Sequence, residues 1–483
     1  MNQIQMLMGG ERRPASNGAT FERRNPLDGA VATRAPAATA EDAVAAVQAA
    51  ADAFPAWAAL GPGERRALLM KAADALESRT DAFATAMAGE TGASGLWAGF
   101  NVHLAADMLR EAAAITTLVG GEVIPSNVPG SLAMGVRQPA GVVLGIAPWN
   151  APVILGVRAV ATPLACGNTV VLKGSELCPA THGLIIDALQ DAGLPAGVVN
   201  FITNAPADAG AVVEAMVAHP AVRRVNFTGS TRVGRIIAHT CAEHLKQAVL
   251  ELGGKAPLLV LDDADLDAAV NGTIFGAFAN SGQICMSTER IVVDDSIADD
   301  FVARLAARAQ ALPLGDPRQG PVVLGSVVDQ ATVEHCNALI DDALAKGARL
   351  VCGGKAENTL MAATLLDGVT ADMRIYHEET FAPVKAIVRV QGEEAAVACA
   401  NDNAFGLSSA VFTKDTARGW RVANRIQAGI CHVNGPTVHD EAHMPFGGVK
   451  DSGYGRFGGR AGIDAFTELR WITLQTAPRH YPF

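Results

Sequence analysis

The chain has 483 residues, of which 49% are hydrophobic and 18% charged, and a formal net charge of -11. That length exceeds one ordinary core and implies two or three domains, and the composition excludes a disordered chain. The acidic balance, with no basic run against it, excludes a general affinity for nucleic acid or anionic lipid. Eight cysteines, at 166, 178, 241, 285, 336, 352, 399 and 431, form no close pairs. Neither a zinc site nor a disulfide framework is indicated, no metal is expected, and a reducing, cytoplasmic setting fits. The N-terminus carries no secretory pattern. The uncharged run from Pro139 to Val157 is broken by Pro148, Asn150 and Pro152, so no membrane span is expected.

A polar segment reaches to about residue 40, with room for short strands. Helical patterns follow at 41–60, 62–89 and 94–118, the second opening on Pro62 and Glu64, where free N–H groups favour them. Residues 120–139 read as a ribbon around a Pro-Gly turn. Lacking a core of its own, it is expected to leave its domain and pair elsewhere, for instance with another subunit.

An apolar strand at 142–147, a helix at 153–166, a strand at 169–172, a helix at 179–192 and strands at 198–202 and 224–227 come next. This alternation predicts an α/β fold with a doubly wound parallel sheet, covered on both faces, whose ligands bind at the carboxyl ends of the strands. Gly229 and Gly234 flank the turn into a helix ending near 244, where N–H groups could face a pyrophosphate. That turn alone leaves cofactor binding and simple chain reversal equally open, because it is neither Gly-x-Gly-x-x-Gly nor a P-loop. Lys173 and Glu176, at the end of the preceding parallel strand, shift the balance. They suit the two hydroxyls of an adenosine ribose, and the carboxylate would repel a 2'-phosphate, so NAD is favoured over NADP.

Glu251 stands in the apolar run Val249–Gly254, where a lone carboxylate is costly unless partnered or functional. Asn150 follows Pro148-Trp149 directly after a strand. Cys285 lies in the loop 280–288, just past an apolar helical pattern at 265–279, with Gly282 allowing a sharp turn. A cysteine is more often a small buried hydrophobe than a catalyst. Here the set supplies a nucleophile, an oxyanion donor and a general base.

Val249–Pro257, Gly282–Cys285, Pro148–Asn150, Phe227–Thr231, Glu378–Pro383 and Pro445–Gly448, which fall in the right chain order and span essentially the whole chain, together resemble the motif set of the NAD(P)-dependent aldehyde dehydrogenase superfamily. Leu96–Asn101 and Tyr454–Phe457 are similar to the bacterial salicylaldehyde dehydrogenases of aromatic-hydrocarbon (naphthalene-type) breakdown. The resemblance implies an NAD-binding domain at 1–119 and 140–252, a second α/β catalytic domain at 253–450, and a small β-ribbon oligomerisation element at 120–139 and 466–483. It makes Cys285 the nucleophile, Asn150 with the Cys285 N–H the oxyanion site, and Glu251 the base that hydrolyses the thioester. Ile146, Trp149, Lys173, Glu176, Gly229, Ser230, Val233, Gly234, Leu252, Gly253, Glu379 and Phe381 are the implied cofactor contacts. Gly174 departs from the Lys-Pro-Ser-Glu version of many relatives, which loosens that turn and weakens the inference of cofactor preference. A carboxylate at 251 implies hydrolysis rather than acyl transfer to coenzyme A.

Ala151 and Ala279 stand where relatives that oxidise aliphatic aldehydes carry aromatic residues, which leaves room for a substrate ring. An aromatic aldehyde is therefore expected: salicylaldehyde first, with benzaldehyde, vanillin or a broad range as alternatives. Trp97, Ile284, Met286 and Phe446 are expected as apolar walls. Arg158 is expected either to bond an ortho phenolic oxygen or to cap a nearby carboxylate. The ribbon and the final segment 468–474 both lack local partners and imply a homo-oligomer, a homodimer before a tetramer. A cysteine hydrolase and a non-catalytic binding protein are the competing classes. The first lacks an evident histidine partner for Cys285, and intact Cys285, Glu251 and Asn150 speak against the second.

Overall fold

The computed structural model describes residues 1–483. An eight-stranded sheet runs in the order Gly453–Tyr454, Gln247–Glu251, Val222–Thr228, Val142–Ile146, Thr169–Lys173, Val199–Ile202, Met6–Met8, Glu11–Arg13. The five strands from Gln247–Glu251 to Val199–Ile202 are parallel, and antiparallel pieces close both edges. Side chains alternate between two cores, as the pleat demands. Val143, Val170 and Leu172 pack under the helices Pro62–Glu77, Gly95–Ile115, Pro152–Ala165 and Pro179–Asp191. Val142, Leu144, Ile146 and Val171 pack against Ala40–Ala59, Ala209–Ala218 and Thr231–Glu243. With both faces covered, only the ends of the strands are open to a ligand.

A second sheet of seven strands has the order Arg349–Cys352, Thr364–Asp367, Val384–Val390, Thr288–Asp294, Ala256–Val260, Ala410–Phe412, His432–Val433. It is parallel except at Arg349–Cys352. Leu259 and Val292 face one core, Leu258 and Ile291 the other, so this sheet is doubly covered as well. The α/β expectation with two parallel sheets therefore holds.

Three expectations need correction. The pattern at 62–89 is two helices, Pro62–Glu77 and Thr80–Thr91, separated at Ser78 and Arg79, although the apolar spacing runs on across the break. The helix Ala209–Ala218 was not foreseen. The ribbon at 120–139 does have a partner in its own chain. Glu122–Ile124 and Ser131–Pro139 form an antiparallel sheet with Thr467–Gln475, in register from Thr467 opposite Pro139 to Gln475 opposite Ser131. Its outer apolar side chains, Val123, Ile124, Leu469, Trp471 and Leu474, stay exposed. No single helix is long and apolar enough to cross a membrane.

Candidate active site

The carboxyl ends of the parallel strands form a row. Register places Glu251 beside Thr228, Phe227 beside Ile146, and Ile146 beside Lys173. Glu251 and Lys173 thus stand three strands apart, roughly 14 Å at the usual inter-strand spacing. The sequence-predicted base and ribose contacts share one edge, at a separation an extended dinucleotide spans.

Cys285 reaches this edge from the other sheet's side. Asp265 caps the helix Leu266–Phe278 by accepting from the Ala268 N–H. The chain then turns through Asn280 (φ 48°), Ser281 (φ 56°) and Gly282 (φ 74°). Asn tolerates the left-handed region, whereas a Cβ at 282 would lie 2.4 Å from the Ala382 carbonyl oxygen, so glycine is required there. The Gln283 side chain pins the loop, its Oε1 accepting from Val328 N (2.9 Å) and its Nε2 donating to Asn280 O and Ser326 O (both 3.2 Å). From the far side Gly254 allows close approach, since a Cβ there would meet the Cys285 carbonyl oxygen at 2.3 Å.

Asn150 Nδ2 donates to Gln283 O at 3.0 Å, which ties the amide to the cysteine loop and leaves its second N–H for a ligand. The Asn150 carbonyl accepts from Trp97 Nε1 (2.9 Å) and Asn280 Nδ2 (3.0 Å). Trp97 therefore holds the amide's backbone as well as forming a wall. Glu251 is 1% exposed and neither carboxylate oxygen has a well-formed hydrogen bond. Burial pushes it up to about 8, opposed by the charge of Arg158 and by the neighbouring Cys285 thiol. Burial, and then the Glu251 carboxylate, push the Cys285 thiol well up in turn, while Arg158 pulls the other way.

Two cavities meet at these groups. One, of about 200 Å³, is lined by Trp149, Asn150, Gly229, Ser230, Glu251, Leu252, Gly253, Cys285, Glu379 and Phe381, among others. Trp149 and Phe381 meet edge to face, 5.8 Å between centroids. Glu379 accepts from Gly254 N at 2.9 Å and burial raises it to about 7. Ile146, Lys173, Glu176, Val233 and Gly234 lie outside this cavity. Lys173 pairs with Glu176 farther along the strand ends, and Asn204 Nδ2 also donates to Glu176 at 2.9 Å. Burial would raise Glu176, but Lys173, the Glu176 backbone N–H and Asn204 together lower it. Ile146 is a core side chain whose end of the strand separates these two zones. At Gly234 a Cβ would meet the Leu252 side chain at 2.4 Å, so the missing Cβ lets the helix Thr231–Glu243 lie close to the residue that follows the strand Gln247–Glu251. Ser230 is spent in part on its own helix, accepting from Val233 N.

The second cavity, about 230 Å³, shares Asn150 and Cys285 with the first. Trp97, Ala151, Arg158, Ile284, Met286 and Phe446 all line it, as expected; Ala279 does not and packs on the core behind. Val438, His439 and Asp440 were missed. Arg158 forms a buried ion pair with Asp440, so the carboxylate-capping alternative is realised, and its guanidinium lies 4.2 Å over the Phe446 ring.

Also missed was the support beneath Glu379 and Phe381. Glu289, 2% exposed, accepts from Lys255 (2.8 Å), Lys385 (3.0 Å), Thr380 N (3.0 Å) and Thr380 Oγ1 (2.8 Å). The two lysines override its burial and lower it to about 2. This fixed charge network holds the backbone turn at Phe381 (φ 47°). Glu289 carries little mark in sequence, since the strand Thr288–Asp294 also holds Thr288, Arg290 and Asp294. A larger surface groove, about 790 Å³ between residues 2–5 and 180–187, shares no wall residue with either cavity.

Residues 13–472 match the model of the aldehyde dehydrogenase family. A vanillin dehydrogenase of Pseudomonas fluorescens is 64% identical over 482 residues, covering 100% of both chains. A salicylaldehyde dehydrogenase of Pseudomonas putida is 52% identical over 97% of both. The solved salicylaldehyde dehydrogenase of Pseudomonas putida G7, complexed with salicylaldehyde, superposes with a TM-score of 0.99 at 50% identity over the full length of both chains.

Proposed function

The chain belongs to the aldehyde dehydrogenase family, and from that premise we propose that it oxidises a hydroxylated aromatic aldehyde to the carboxylic acid, with NAD as acceptor. The observation that carries this is the meeting of the two cavities at Cys285 and Asn150, one polar and at the strand ends, the other walled by Trp97, Ile284, Met286 and Phe446.

Cys285 Sγ bonds to the aldehyde carbon as its proton passes toward Glu251, and the oxygen becomes an oxyanion held by the free N–H of Asn150 and the Cys285 N–H. Glu251, the end of a rigid strand, is the acceptor that the thiol faces. The residues of the first cavity suit a dinucleotide: aromatic Trp149 and Phe381 flank it, Glu379 offers a carboxylate, and Lys173 with Glu176 fits a ribose. A dinucleotide held by these residues would supply the acceptor for the hydride that leaves the substrate carbon. Once Glu251 has released the thiol's proton to solvent, the thioester left on Cys285 is attacked by water that gives its proton to the ionised carboxylate; the sulfur departs as thiolate, takes that proton from Glu251, and the acid is released.

Because Glu251 is protonated below about 8, hydrolysis should slow as pH falls through that value and level off above it. Steady-state kcat measured from pH 6 to 10 should show this limb, and Glu251→Gln should lose it. Glu176 is the residue proposed to exclude a 2'-phosphate. Glu176→Gln should raise the NADP-to-NAD ratio of kcat/KM on the order of tenfold or more, since a like-charge clash is removed; an unchanged ratio would place the preference elsewhere.

Between ring substituents, the higher identity to a vanillin dehydrogenase than to a salicylaldehyde dehydrogenase moves the expectation toward vanillin. Salicylaldehyde remains the second reading, supported by the solved relative that binds it. The test is a panel of aromatic and aliphatic aldehydes assayed for NADH and NADPH formation. Preference for short aliphatic aldehydes would sink the aromatic reading and leave the dehydrogenase standing. For assembly we favour a homodimer built on the exposed apolar strand Thr467–Gln475, which light scattering of Trp471→Glu against the parent protein would test.

A further inference from the structure

We propose that Asp440 sets substrate choice by accepting a hydrogen bond from a hydroxyl group on the aldehyde's ring, while Arg158 holds that carboxylate in place. The proposal rests on the reading of the second cavity as an aromatic-aldehyde site. That cavity is lined by 16 residues, of which 12 are hydrophobic. Of its polar members, Asn150 is bonded to the cysteine loop and His439 is engaged with Glu441 at 2.9 Å. Asp440 and Arg158 remain. The Asp440 side chain is 7% exposed, and its Oδ2 accepts from Arg158 Nη2. Its Oδ1 is buried and accepts no well-formed hydrogen bond, although the Glu441 N–H lies near the carboxylate.

A buried carboxylate oxygen without a donor is costly, and native structures carry few of them. Arg158 does not relieve it, because the guanidinium is stacked on Phe446 and donates to the other oxygen. A phenolic O–H entering the cavity supplies the missing donor. A bare ring leaves Oδ1 unpaired, and a methyl ether has no proton to give while adding a methyl group. A site built this way rejects an analogue that lacks the hydroxyl far more strongly than an apolar pocket discriminates by size.

The test compares the three monohydroxybenzaldehydes with the matching methoxybenzaldehydes and benzaldehyde, with NAD, in the parent protein and in Asp440→Asn. For at least one isomer the parent protein should prefer the phenol over its ether and over benzaldehyde by about tenfold or more in kcat/KM, chiefly through KM. Asp440→Asn should shrink that ratio to within a few-fold. Absence of any such preference in the parent protein, or its survival in Asp440→Asn, overturns the proposal. Should Asp440→Asn form no NADH, calorimetric binding of the preferred phenol and its ether to Cys285→Ala, with and without Asp440→Asn, decides by the same ratio. A parent protein that oxidises only aliphatic aldehydes would instead remove the underlying reading, a result visible without the variant.

Discussion

Cys285→Ala is expected to lower the rate of aldehyde oxidation by on the order of 10⁴-fold or more while leaving the fold intact. The size of the effect follows from what the rest of the site can do alone. Asn150 and the backbone can polarise a carbonyl, but hydride leaves readily only from a tetrahedral carbon bearing an oxyanion, and no other nucleophile lies at the junction of the two cavities. The seven other cysteines are not substitutes, since none lines either cavity. The cost to stability should be small, because the thiol is only half-buried and alanine fits the same loop backbone. Circular dichroism and NADH formation measured side by side check both parts. Retained turnover would assign the chemistry to another group.

Glu251→Gln is the second large effect. The carboxylate is buried, without a well-formed hydrogen bond and raised to about 8, so the isosteric amide breaks no ion pair and should not unfold the chain. It removes the base that water needs, and kcat should fall by roughly 10²- to 10⁴-fold. Stopped-flow absorbance should then show up to one equivalent of NADH per site, followed by almost no further production. The burst itself should be slower than in the parent protein, because the thiol faces the same carboxylate, yet a single turnover still completes. Unaltered steady-state turnover would show that another group activates water.

The parts of this site that were legible in sequence are those whose oddity is local. Glu251 stands out as a charge in an apolar run, Cys285 as a thiol between a helix end and a glycine, and the buried strands as uninterrupted apolar segments flanked by helical spacing. Asp440 shows no such mark. It sits in an irregular stretch, and its burial and its unpaired oxygen exist only because Arg158 arrives from 282 residues away. The partner of the ribbon at 120–139 was hidden likewise, since Thr467–Gln475 pairs with it across more than three hundred residues. Gly234 carries a demand of its own that was equally hidden: the Leu252 side chain, just past the strand Gln247–Glu251, packs against it. The break at Ser78 and Arg79 escaped because apolar spacing reports which face is buried, not whether the backbone ladder continues.

The covalent role of Cys285 is most directly read by mass spectrometry of Glu251→Gln after one turnover with NAD and an aromatic aldehyde. The account predicts that the peptide bearing Cys285 gains the mass of the aldehyde less two hydrogens, in step with the NADH released, and that omitting NAD leaves it unmodified. NADH released without that modification, or the same mass found on a different residue, would contradict it.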